Sequence, residues 1–177
     1  MEGVVGRWGG WGRGGGEVTE RIWGNFWLPS RDGDGRAFDL MTRHYTYQAY
    51  ADGRRQNPSN PNRRLFVGPG QKMVLLTRDC RALFVWRKFI DKSGQTGVNC
   101  AVFRNESDAQ SSQLIQDAER LAWGRWPGER LYTYVSAKDV KSRNPGYCFK
   151  MAGWSTCGKT KSRELIILEK LPPTVDR

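Results

Sequence analysis

Five side chains able to move or orient a proton stand in three short stretches of this 177-residue chain. Tyr132 and Tyr134 lie in LYTYV, Leu131 to Val135, where strand alternation sets Leu131, Thr133 and Val135 on one face and both phenols on the other. Asn144 and Tyr147 open NPGYCFKMAGW, and His44, the sole histidine, sits between Arg43 and Tyr45 in RHYTY. Phenol, amide and imidazole groups are the equipment for taking a proton from an attacking amine and orienting a reacting group, which is general acid–base chemistry. Each also has a structural reading. Asn144 with Pro145 sets a turn, the tyrosines are half-buried surface aromatics, and a lone histidine is a hydrogen-bonded structural residue.

The charge around these groups has one sign. Lys141, Arg143, Lys150, Lys159, Lys161 and Arg163 occur between Lys141 and Arg163 with no acid among them, which predicts strong positive potential. Arg43, and Arg54 and Arg55 in the loop ADGRRQNPSNPNRR, add to it, and Trp154 supplies a ring able to stack on a base. A net charge of +11 and a pI near 9.9 favour polyanionic partners: nucleic acid, a phosphate-bearing cofactor or an anionic membrane surface.

Composition sets outer bounds. The length suits one domain with a real core, and 38% hydrophobic with 12% aromatic residues supports folding, while a mean hydropathy of -0.69 describes a polar surface. No run of about 18 apolar residues exists and the N-terminus lacks the apolar core of a signal peptide, so the expected compartment is the cytoplasm, with no membrane partner. Cys80, Cys100, Cys148 and Cys157 form no CxxC pair, so no metal site is expected, and free thiols fit a reducing compartment.

The elements that must position the chemistry follow in order. Residues 1–35 hold eleven glycines and four tryptophans without periodicity and read as a disordered arm, either a passive tail or one that stacks on bases. A domain then spans 36–172, with 173–177 as a tail. Arg36 to Tyr50 carries helical spacing at Phe38, Leu40, Met41 and Tyr45. From Leu65 the chain is strand-like through LFVGPG, then KMVLLT and ALFVWRKFI form a hairpin about Arg78 and Asp79, and DKSGQTG leads into VNCAVFR. These make three adjacent antiparallel strands, the last a central strand buried on both faces. SDAQSS offers N-caps for a helix through Leu114, Ile115, Ala118, Leu121 and Ala122. A strand running into a helix N-terminus makes an anion site, here with Ser111 and Ser112 beside the first-turn amides. LYTYV, a short helix after Asn144 and Pro145, and ELIILEKL complete an α+β domain with a mixed, mostly antiparallel central sheet flanked by helices.

This order, with an anion-binding turn between the central strand and its helix, resembles the GCN5-related N-acetyltransferase superfamily. NPGYCFKMAGW is similar to that superfamily's Asn, aromatic, Gly-aromatic block beside the cofactor's thiol end. RHYTY and the stretch from FRNES to NPGYCF are most similar to phage Mom-type DNA-modification proteins. The resemblance covers roughly Phe38 to Leu171, with specific motifs in the last third. It implies a donor site at Arg104, Asn105, Ser111, Ser112 and Phe149, with acyl-CoA as a possible donor. The family's phosphate loop carries an arginine or glutamine and two small residues, and the corresponding positions here are Glu106, Ala109 and Ser111. Its proton-donating tyrosine falls on Phe149, so Tyr147, Tyr132 or Tyr134 would have to replace it.

The expected function is transfer of an acyl-type group to an exocyclic amine of a nucleic-acid base, with adenine in DNA as the first choice and the base leaving the stack to react. His44 or Tyr134 would relay the amine proton and Asn144 would orient the reacting group. Two alternatives stay open: a non-enzymatic nucleic-acid-binding module, and an ordinary acetyl-CoA-dependent N-acetyltransferase.

Overall fold

The computed structural model describes residues 24–47, 64–90 and 94–174. They form one seven-stranded sheet in the order β1-β2-β3-β4-β5-β7-β6, with three helices. The strands are β1 (Trp27–Ser30), β2 (Gln71–Thr77), β3 (Ala82–Lys88), β4 (Val98–Asn105), β5 (Leu131–Val135), β6 (Ser155–Lys159) and β7 (Ile166–Lys170), and the helices are α1 (Gly35–Thr42), α2 (Ser111–Arg125) and α3 (Tyr147–Met151). Every strand pairing is antiparallel except β4 with β5. That exception follows from connectivity, because a parallel neighbour needs a crossover and α2 supplies it.

Alternation divides the apolar residues between two faces. Met73, Leu75, Phe84, Trp86, Val98, Cys100, Leu131, Val135 and Leu168 pack with Leu114, Ile115, Ala118 and Ala122 of α2 and with Phe149 of α3. Val74, Leu76, Leu83, Val85 and Val102 pack on the other face with Ala37, Leu40 and Met41 of α1. Three indoles fasten α2. Trp27 Nε1 donates to Leu114 O and Trp86 Nε1 to Ala118 O, each at 2.9 Å, and Trp154 Nε1 donates to the Glu119 carboxylate.

A bulge interrupts β4. Val85 stands opposite Val102 but Trp86 stands opposite Cys100, so Ala101 is the extra residue. Ala101 and Val102 consequently both pack toward the α1 face, whereas Cys100 and Phe103 pack toward α2.

Several expectations need correction. The N-terminal arm does not extend to 35: β1 and the start of α1 lie inside that range, and Trp27 is fully buried. Residues 1–23 fall outside the described residues. Asp117 of α2 explains the docking, since its carboxylate accepts from the Asn25 N–H at 2.9 Å and the Phe26 N–H at 3.0 Å. Gly24 makes room for this contact, having φ +99° and a Cβ position only 2.7 Å from an Asp117 oxygen. LFVGPG is not a strand, for Gly68 and Gly70 both take positive φ there. The helix beginning near Arg36 stops at Thr42. β6, to which the sequence reading assigns no element, is a strand exposed at four of its five residues, which leaves it no apolar pattern to read. β4 is central in order, yet only alternate residues of its first five are buried. None of the SDAQSS side chains caps α2, whose N-cap is Gln110.

Asp117→Ala removes the acceptor of two part-buried backbone donors. It is expected to cost roughly 1–3 kcal/mol and to loosen β1, read as a lower denaturation midpoint with faster amide exchange at Trp27 and Leu28.

Candidate functional site

The parallel pairing of β4 and β5 is short. Val98, Asn99 and Cys100 stand against Leu131, Tyr132 and Thr133, and the Thr133 hydroxyl donates to Cys100 O at 3.0 Å on the last rung. Beyond it, at the bulge, the strands part. Val102 to Asn105 register only with β3, while Tyr134 and Val135 register only with β7. The carboxyl ends of β4 and β5 therefore border a gap, the position at which open sheets with parallel strands form ligand crevices.

The segment after α1 crosses this gap. The His44 and Tyr45 rings lie 4.5 Å apart and 32° from parallel. Tyr45 forms a hydrogen bond with the Ser136 backbone at the end of β5, and burial raises its phenol above the usual range. His44 belongs to the β4 side. Its Nδ1 lies 2.7 Å from the Thr46 hydroxyl and accepts from the Thr46 N–H at 3.3 Å, and the ring also bonds the Phe103 backbone. With Nδ1 accepting, Nε2 carries the proton and faces the Phe103 carbonyl. Burial, seconded by the Arg104 charge, lowers the imidazole pKa to about 4. His44 is thus a neutral ring with both nitrogens engaged, a brace between α1 and β4; serving as a base would require breaking the Thr46 contact.

The turn from β4 to α2 is closed on itself. Asn105 Nδ2 donates to Ala109 O at 2.8 Å and to the Ser111 hydroxyl at 3.0 Å, and its Oδ1 accepts from the Ser107 N–H at 2.9 Å and hydroxyl at 2.6 Å. Ser112 is buried at 9% exposure. The two arginines are committed as well. Arg43 reaches Glu106 through two bonds of 2.8 and 3.0 Å and Asp39 at 2.7 Å, while Arg104 bonds Glu106 and the Arg43 carbonyl. The Arg43 guanidinium above all holds Glu106 down to a pKa of about 2. The Glu106 carboxylate is thus compensated, and Arg104 and Arg43, expected to bind a donor and a nucleic-acid backbone, are both committed to it.

On β5, Tyr132 is buried beneath the Arg130 guanidinium, 5.0 Å from its ring, with the Tyr134 ring 5.6 Å away edge-on. Tyr134 is half-buried, in the part of β5 that borders the gap. Buried Tyr132 serves as support for Tyr134 and is not itself open to substrate.

Around α3 the expectations change most. Phe149 is buried against Phe103 and Trp154, ring centroids 5.9 and 5.0 Å away, so it walls the gap from the α2 side and shows no free face to a cofactor. Trp154 is 4% exposed, stacked 6.3 Å from Trp86, and cannot receive a base. Tyr147 is 55% exposed and, two residues before Phe149, points roughly 200° around the helix from it, so it cannot replace Phe149 as the proton donor. Asn144 is exposed, and its side-chain oxygen accepts from Lys150 Nζ at 2.7 Å while its carbonyl accepts from the Tyr147 N–H at 3.1 Å. Lys141, Arg143, Lys150, Lys159, Lys161 and Arg163 are exposed, and among the described residues none pairs with an acid. Val135 stands opposite Ile166 and Lys159 opposite Ile166, so the turn carrying Lys161 and Arg163 lies at the same sheet end as the carboxyl end of β5. Arg54 and Arg55 lie outside the described residues.

Two features escaped the sequence reading: the Ala101 bulge and Tyr45, whose only signal was its place beside His44. Two clefts of about 360 and 380 Å³ lie elsewhere, one lined by Arg31, Asp32, Lys72 and Arg125, the other by Asn25, Asp117 and Arg120. Among the described residues no group of three or more His, Cys, Asp or Glu could hold a metal ion, and no helix is long and apolar enough to cross a membrane. Comparison with family models, curated proteins and solved structures finds no match to this chain.

His44 gives a pH signature. The folded chain refuses a proton that the unfolded chain takes near 6.5, so stability falls as pH drops from about 6.5 toward 4, by at most ~3 kcal/mol. Denaturation at pH 7 and pH 5 is expected to show a smaller acid loss in His44→Gln than in the parent; equal losses would contradict the assignment.

Proposed function

We propose that the chain transfers an acyl-type group to an exocyclic amine of a nucleic-acid base, with the gap between the parted ends of β4 and β5 as the place of reaction. The observation that carries this reading is a coincidence of three features at one end of the sheet: parted parallel strands, phenols at their edges, and a surface of unpaired cations. The element order and the crossover from β4 through α2 into β5 support a fold like that of the GCN5-related N-acetyltransferases, and the likeness to phage Mom-type proteins supports DNA as the substrate, with adenine the first choice.

In this reading Tyr134 and Tyr45 supply the hydroxyls at the gap. A phenol, protonated near neutral pH, is suited to hand its proton to a leaving group, and its partner's hydroxyl can relay the amine's proton by passing its own on to water. His44 holds the cap in place, and Asn144 fixes Lys150 and the start of α3. The cations from Lys141 to Arg163 hold phosphates and set orientation without reading sequence.

A non-enzymatic nucleic-acid-binding module has a specific observation in its favour. The β4–α2 turn is internally satisfied and both nearby arginines are bound to Glu106, so a pyrophosphate finds no free cation there. A donor lacking a pyrophosphate, or one held by the exposed lysines, reconciles the turn with transfer.

Nucleoside mass spectrometry on DNA and RNA from cells producing the chain separates the two. Transfer predicts a new nucleoside mass that falls at least about tenfold in Tyr134→Phe, while DNA binding stays within about twofold. An unchanged nucleoside profile with intact DNA binding selects the module.

A further inference from the structure

The outer face of α3 is unlike an ordinary helix surface. Phe149 faces the core, and the opposite side presents Tyr147 at 55% and Met151 at 53% exposure, one turn apart. The solvent face of a helix ordinarily carries charged or polar residues. Here the apolar pair is set among cations instead: Lys150 on the helix itself, and Lys141 and Arg143 on the loop that leads into it, all exposed. Lys150 is further fixed by its 2.7 Å bond to Asn144.

We infer that Tyr147 and Met151 form a landing step for an unstacked nucleobase, with the strand's phosphates on Lys141, Arg143 and Lys150. This rests on the nucleic-acid reading above and gives Tyr147 a binding role in place of a catalytic one. The charge complement calls for a polyanion, and the apolar pair calls for one that offers flat apolar faces at intervals along its chain. A nucleic-acid strand does both, because every base has a π-face and sequence-tolerant stacking needs only a ring and a neighbouring apolar side chain. An anionic lipid surface shares the charge but fits the geometry less well. Membrane-surface helices bury a continuous apolar face, whereas α3 has five residues and two exposed apolar side chains. The step stands on the α2 side of the sheet, beyond the Phe149 wall, so a base held there is next in line to the gap rather than inside it.

The test measures affinity of the full chain for a single-stranded oligodeoxynucleotide and for an abasic strand of equal length and charge, across a salt series. The parent is expected to prefer the base-bearing strand by about 5- to 150-fold. Tyr147→Ala with Met151→Ala should abolish that preference and leave abasic affinity and its salt slope unchanged. Lys141→Glu with Arg143→Glu should weaken both strands together and flatten the slope. A preference that survives the Tyr147 and Met151 changes overturns this inference and leaves the nucleic-acid reading standing. No binding to either strand overturns both. Binding to phosphatidylserine vesicles in preference to either strand, lost in the Tyr147 and Met151 variant, also overturns it and assigns the step to a membrane surface.

Discussion

One extra residue governs the middle of this sheet. Had β4 continued in register past Cys100, Ala101 and Val102 would stand against Tyr134 and Val135 and the pairing would run to the end of β5. Ala101 prevents that by shifting β4 against β3, so that pairing with β5 stops at Thr133. What lies near the resulting opening is arranged by it. The His44–Tyr45 pair reaches from β4 to β5, Phe149 stands against Phe103 as one wall, and Tyr134 sits at the exposed edge of β5. A bulge beside a functional site is a common use of this irregularity, since it re-aims side chains without breaking the sheet.

An opening in a sheet has to be supported from behind, and α2 does this. Its backbone accepts two indole N–H groups, from Trp27 on β1 and Trp86 on β3, and its Glu119 carboxylate accepts Trp154 and Lys170. Burial pushes Glu119 above the ordinary carboxylate range, and the Lys170 and Trp154 bonds act against that push. Lys170 also donates to the Ala152 carbonyl at 2.7 Å, so one ammonium joins α2, the end of α3 and β7. The tryptophans therefore act as packed, directionally bonded fasteners, and Trp154 belongs to this set rather than to a nucleic-acid surface.

Much of the architecture was legible because it rests on local pattern. The β2–β3 hairpin, α2 and the alternating faces of β5 all follow from periodicity and turn residues. The bulge was not, because Val98, Cys100 and Val102 alternate with Asn99, Ala101 and Phe103 as an unbroken strand would, and only the partner strand reveals the slip. β1 was hidden in a glycine-rich context, its place secured by Trp27 and by Asp117 some ninety residues away. The surroundings of several candidate site residues were illegible for a related reason: residue type shows what a side chain can do but not whether a neighbour already occupies it. Arg104, Asn105 and His44 are all satisfied by partners that sequence spacing could not supply.

The proposed working surface lies at the carboxyl ends of β4 and β5 and on the adjoining α3, away from the cation-bearing cleft beside β1. Photocrosslinking the full chain to DNA containing 5-iododeoxyuridine, with adducts mapped by mass spectrometry, tests that placement directly. The account predicts adducts on the peptides bearing Tyr45, Tyr134 and Tyr147. Adducts confined to the cleft lined by Arg31, Lys72 and Arg125 would contradict it.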